Sequence, residues 1–179
     1  MATKTLLTAE EFAKTGPETD RDELVKGELV PRPPPADRHG IVCGNTVFLL
    51  KSYTKQLGRG TVMCNDSGII TRRNPDTVRG VDVAVFLSPG WQAPEGYTSD
   101  PPDLAVEIRS PSQSWTEILD KVTEYLRMGV RLVWIIDPPR LRVTVFYPDR
   151  EPRTFAPENE LDGGEVLPGF RCRVAELFE

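Results

Sequence analysis

The sequence predicts an α/β (α+β) fold, a mixed β-sheet flanked by helices, with an N-terminal helix and hairpin ahead of it. Three observations carry this. Two long segments have helical apolar periodicity and stop at glycine, short β-branched runs lie between turn signals, and one strand–helix–strand crossover spans residues 104–137. The 179 residues suit one domain occupying the whole chain, 1–179.

Thr8-Ala9-Glu10-Glu11 is a capping box, so a short helix is expected over residues 9–14, stopped by Gly16-Pro17. Glu23-Leu24-Val25 and Glu28-Leu29-Val30 flank Lys26-Gly27 and read as a hairpin. The proline run 31–35 then forces an extended link. Apolar positions from Ile41 to Leu57 predict a helix over residues 38–57 closed by Gly58. Lys51, Lys55 and Arg59 recur on its other side, as a solvated face near a helix C-terminus would.

Strands are expected at residues 61–64, 68–71, 81–87 and 104–108, with a turn at Asn74-Pro75-Asp76-Thr77. The connection 88–102 holds four prolines and two glycines and is long enough to be a functional loop, with Trp91 and Tyr97 as candidate contacts. Ser114-Trp115-Thr116-Glu117 is a second capping box, opening a helix that ends at Gly129. Its expected buried stripe is Trp115, Ile118, Leu119, Val122, Tyr125 and Leu126, with Glu117, Asp120, Glu124 and Arg127 toward solvent. Residues 131–137 and 141–147 are strands around Pro138-Pro139, and the tail closes with residues 166–170 and a helical turn over 174–178.

Composition narrows the chemistry. No apolar run approaches the ~20 residues of a membrane span. The N-terminus lacks the apolar segment of a signal peptide, so a cytoplasmic location is expected, with no membrane partner. Cys43, Cys64 and Cys172 are far apart and form neither a disulfide framework nor a zinc signature. A single histidine, His39, nearly excludes a histidine-based triad. The net charge of -5 excludes a general nucleic-acid glue, but not an enzyme whose acids hold a metal.

Two acids interrupt strands that otherwise read as core. Asp82 shares a face with Ala84 and Phe86, opposite Val81, Val83, Val85 and Leu87. Glu107 shares a face with Asp103, Ala105 and Arg109. A carboxylate there is costly unless paired or coordinated. The two could converge on a divalent cation, and hard oxygen ligands suit Mg²⁺. Spacing alone leaves open that Glu107 pairs with Arg109 and Asp82 merely ends its strand. Lys121 falls on the border of the helical stripe, from where its ammonium could approach both acids.

These residues carry a resemblance. The chain resembles the Uma-type family of restriction-endonuclease-like proteins, in the PD-(D/E)XK nuclease superfamily, over nearly its whole length. The matching pieces include Glu23-Leu24-Val25, His39-Gly40, Asn74-Pro75-Asp76-Thr77-Val78-Arg79, Val81-Asp82-Val83-Ala84 and Pro102-Asp103-Leu104-Ala105-Val106-Glu107-Ile108. They continue through Ser110-Pro111-Ser112, Lys121, Tyr125, Gly129-Val130, Trp134, Asp137-Pro138 and Leu167-Pro168-Gly169-Phe170. The resemblance implies a restriction-endonuclease-like fold and Asp82, Glu107 and Lys121 as catalytic residues. It also implies Mg²⁺, with Mn²⁺ as a substitute, held by Asp82, Glu107 and the Ile108 carbonyl, and a homodimer acting on DNA. Val81 stands where a proline is usual, Asp22 where an aromatic is common, and Arg109 where the lysine ordinarily lies.

The expected function is metal-dependent phosphodiester hydrolysis, with Lys121 removable at little cost in stability. The rival from another class is a non-enzymatic nuclease-fold module that binds a protein or nucleic acid. A third option, a metal-free structural dimer, needs Glu107 to be satisfied by Arg109 alone.

Overall fold

A computed structural model describes residues 6–15, 22–111 and 113–179, so the Gly16-Pro17 stop and Ser112 lie outside the described residues. Thr8 caps α1 (Ala9–Phe12), and its side chain and that of Glu11 bond reciprocally as the capping box requires. The hairpin strands are β1 (Glu23–Val25) and β2 (Glu28–Val30). Lys26 and Gly27 both take positive φ, 53° and 81°, as a tight two-residue turn demands. A Cβ at Gly27 would lie 2.6 Å from the Leu6 side chain, so glycine also admits the N-terminal segment.

Helix α2 runs over Asp37–Leu57 and ends on Gly58 at φ 71°. Strand β3 (Thr61–Arg72) unites the two short strands expected from the sequence. Its register against β4 (Thr77–Phe86) shifts between Cys64 and Ser67, where Asn65 and Asp66 adopt positive φ. A bulge of this kind bends one strand without ending it. Next come β5 (Leu104–Ile108), α3 (Trp115–Met128), β6 (Leu132–Asp137) and β7 (Arg142–Phe146). Two strands absent from the sequence reading follow, β8 (Arg153–Phe155) and β9 (Glu160–Gly163), before β10 (Leu167–Arg173) and a 3-10 turn at Val174–Leu177.

The main sheet has the order β2-β1-β4-β5-β6-β7-β8, with β3 also on β4, and β9 and β10 form a separate pair. β5 and β6 are parallel across the α3 crossover, and the other pairings are antiparallel. β3 follows one edge of β4 along its length. The other edge is divided: β1 takes Val78, while β5 takes Val83, Ala84 and Val85. Between them, Arg79 to Asp82 face a gap in the sheet.

Each face has its own core. Val83, Val85, Leu104, Val106, Trp134 and Ile136 pack against Val42, Leu50 and Tyr53 of α2. Ala84, Phe86, Ala105, Val133 and Ile135 pack against Ile118, Val122 and Tyr125 of α3. Val81 departs from the expected alternation and joins this second cluster, beside the β3 bulge. Leu119, expected in the buried stripe, is 44% exposed. The two loop aromatics tuck inward: Trp91 stacks on Phe86 with centroids 3.8 Å apart, and Tyr97 stacks on Phe12 at 5.5 Å. Gly68 makes room for Tyr97, whose ring would lie 2.3 Å from a Cβ there. Among the described residues, no helix is long and apolar enough to cross a membrane.

Candidate active site

The gap between β1 and β5 opens into a cavity of about 290 Å³. Its walls include Glu23, Arg32, His39, Asp66, Gly80, Asp82, Glu107, Ile108 and Lys121. Asp82, Glu107 and Lys121 are therefore brought together, all buried. Asp82 is held at both oxygens: Oδ2 accepts from the Ile108 amide at 2.6 Å, and Oδ1 lies 3.2 Å from His39 Nε2. The Ile108 main chain thus ties the end of β5 to β4 across the gap.

Glu107 Oε1 accepts from the Tyr125 hydroxyl at 2.6 Å, and Oε2 accepts from Lys121 Nζ at 2.9 Å. Arg109 does not pair with Glu107. It turns to Asp137 at 3.4 Å and donates to the Gln113 carbonyl at 3.2 Å. Glu107 is thus satisfied by Tyr125 and Lys121, and Arg109 has no part in it.

Lys121 meets only one of the two acids expected of it. Its other carboxylate is Glu23, at 2.8 Å, and its third donor reaches the Gly80 carbonyl at 3.1 Å. Glu23 Oε2 also accepts from Arg79 at 3.0 Å and Arg32 at 2.6 Å. Arg79 continues the network to Glu124, with bonds of 2.7 and 2.8 Å, so Glu124 is half-buried in a pair rather than facing solvent.

The pKa shifts follow from this arrangement. Burial pushes the Glu107 carboxyl above the usual range. Lys121 opposes that shift and Asp82 adds to it. Burial would lower the Lys121 ammonium, but Glu107 and Glu23 outweigh it and hold the lysine charged. Burial would likewise raise Glu23, but Lys121, Arg79 and Arg32 bring it down to about 2. Burial works to lower His39, while Asp82, by hydrogen bond and charge, carries it above its ordinary value. Asp66 is exposed as a residue, yet its carboxyl is desolvated beside Asp82, and both effects raise it.

Glu23 therefore stabilises the fold above its unfolded pKa, and that contribution is lost as pH falls from 4.5 toward 2. The shift corresponds to about 3 kcal/mol at neutral pH. Glu23→Gln is expected to lower unfolding stability by that order at pH 7. The gap from the parent protein should close through the same acid window when unfolding is followed by circular dichroism. A constant gap from pH 7 to 2 would count against this role.

Among the described residues no three His, Cys, Asp or Glu side chains cluster as a metal site. Carboxylate oxygens such as those of Asp82 and Glu107, which line the cavity, are hard ligands of the kind that suits Mg²⁺, an ion that keeps several of its waters. The crowding of Asp66, Asp82 and Glu107, each carboxyl near another, is the charge pattern that a cation relieves.

Sequence reasoning left Glu23 and His39 without roles and read Tyr125 only as core. Arg79 was the available signal, a cation inside an apolar strand that must find acids within the fold.

A mixed sheet flanked by helices thus carries Asp82 on β4, Glu107 on β5 and Lys121 on α3 to one cavity. Residues 9–175 match the Uma2 family, described as a putative restriction endonuclease, and the chain belongs to it. The fold is also that of a solved putative nuclease belonging to DUF820 from Anabaena variabilis ATCC 29413. The two share a TM-score of 0.81 and 23% identity over 96% of this chain and 97% of that one. No curated protein matches the chain.

Proposed function

We propose that the chain is a Mg²⁺-dependent endonuclease that hydrolyses phosphodiester bonds in DNA. The observation that supports this most directly is the convergence of Asp82, Glu107 and Lys121 on one cavity, with Lys121 Nζ 2.9 Å from Glu107. Asp82, Glu107 and the Ile108 carbonyl would hold the metal, and Mn²⁺ could replace it. When bound, the cation supplies a more acidic water and neutralises phosphate charge.

The protein's own residues do the rest. Tyr125 holds the Glu107 carboxylate, and the Ile108 amide and His39 hold that of Asp82. Lys121 remains an ammonium and so is no general base. Its part is to orient the attacking water and stabilise charge developing on the phosphate. All three of its donors are engaged, and the bond to the Gly80 carbonyl is the longest at 3.1 Å. That donor is the one to exchange for a water or phosphate oxygen.

Cutting both strands of a duplex is most simply done by two symmetric sites, so a homodimer is part of the proposal. The three unbridged cysteines accord with a reducing cytoplasm. Mg²⁺ or Mn²⁺ titration against linear, circular and single-stranded DNA and RNA should give metal-dependent cleavage of DNA. Binding without cleavage at every metal concentration would favour the non-enzymatic module. Light scattering that reported a monomer at high micromolar concentration would count against the dimer.

A further inference from the structure

Cations and acids balance in the network behind the site. Lys121, Arg79 and Arg32 meet Glu23, Glu107 and Glu124. One strand away the balance fails. Asp137 ends β6 with its side chain only 1% exposed, and three arginines converge on it. Arg109 lies at 3.4 Å, Arg140 at 3.1 Å and Arg142 at 3.6 Å. A single carboxylate neutralises one guanidinium, so two positive charges are in excess. Its two oxygens also cannot satisfy three forks of five N–H donors each. Among the described residues, the buried Nε atoms of Arg109 and Arg142 have no hydrogen-bond partner.

The fold places this cluster beside the cavity. β5 and β6 are parallel, so Ile108 and Asp137 finish at the same end of the sheet, and the Arg109 amide donates to the Ile136 carbonyl at 2.8 Å. Arg142 pairs in register with Asp137 across β6 and β7. Arg109 also reaches the carbonyl of Gln113, a residue of the cavity wall. Arg140 and Arg142 are 52% and 38% exposed, while Arg109 is 14% exposed and lies over the Trp115 ring. The buried carboxylate thus fixes the inner arginine, and the outer two face solvent.

We infer that Arg140 and Arg142, anchored on Asp137, form a binding platform for backbone phosphates of a polynucleotide next to those in the cavity. This inference rests on the nuclease reading for the identity of its ligand. Guanidinium forks match phosphate geometry, and a strand running along this sheet end meets the platform as it leaves the site. In a chain of net charge -5 such a local excess of positive charge would also steer the substrate's approach. Arg109 serves as the platform's foundation, and its loss should cost stability or substrate affinity rather than the chemical step.

The test compares Arg140→Gln/Arg142→Gln with Arg150→Gln/Arg153→Gln. The second pair lies in or beside the β7–β8 turn, at the opposite end of β7, and removes the same charge. Binding of a labelled 20-base-pair duplex is measured in EDTA across a salt series. The platform variant should bind about tenfold more weakly, with a log–log salt slope shallower by about 2. The turn variant should bind like the parent and keep the parent's single-turnover cleavage. Unchanged affinity and slope in the platform variant, equal losses in both variants, or no binding by the parent would overturn the platform. Platform-dependent binding without cleavage under any metal would overturn the nuclease reading and leave the platform standing.

Discussion

Glu107→Gln and Asp82→Asn are each expected to abolish cleavage and to weaken Mn²⁺ binding at least ~10-fold while leaving the chain folded. The reason lies in what each carboxylate does besides offering charge. Glu107 is buried, and burial already lifts its carboxyl above the usual range, so a neutral isostere of the same shape is tolerated there, with Glu23 still paired to Lys121. The glutamine oxygen can still accept from Lys121. At Asp82 an amide oxygen can still accept from the Ile108 amide, preserving the tie between β4 and β5. What is lost is anionic oxygen at the metal position. Calorimetry with Mn²⁺ reads this directly, and unchanged affinity in both variants would remove the site from these residues.

The second large effect is at Lys121, where turnover should be lost outright in Lys121→Ala. Here the structure changes the expectation for stability. Lys121 is buried between Glu23 and Glu107, so its removal leaves Glu107 buried without a cation, while Glu23 keeps Arg79 and Arg32. Breaking a buried pair in this way costs about 3–5 kcal/mol. Lys121→Met combined with Glu107→Gln leaves less uncompensated charge. It should recover much of the stability seen by thermal unfolding, with no recovery of single-turnover cleavage. Near-normal rates for Lys121→Ala alongside a dead Arg109→Ala would return the cationic role to Arg109.

The local devices of the fold were legible because each is written in a few adjacent residues. Thr8 and Ser114 cap their helices, Lys26-Gly27 turns the hairpin, and Gly58 and Gly129 end α2 and α3. The strands that escaped are short and mostly exposed. Arg153–Phe155 has one apolar residue, and Glu160–Gly163 has one large one, Leu161. β3 read as two strands because Asn65 and Asp66 break its apolar pattern, and only pairing with β4 carries it through.

The site divides in the same way. Asp82 and Glu107 stood out because a charge interrupts an apolar run, and Lys121 because it falls on the border of the helical stripe. Glu23 did not, because Glu-Leu-Val at a hairpin looks like any half-exposed strand. Its burial comes from Arg79 and Lys121, 56 and 98 residues further along the chain. Such long-range partners have no local trace.

The divided edge of β4 also has a temporal consequence. The hairpin carrying Glu23 is synthesised early, but the edge that receives it, at Val78, and its cation, Lys121, come much later. At ~5–20 residues per second, the ribosome needs about 5–20 s to extend from one to the other. Throughout that interval the nascent chain has acids but no completed charge network. A cell making this protein therefore carries no assembled site on a growing polypeptide until α3 has been translated.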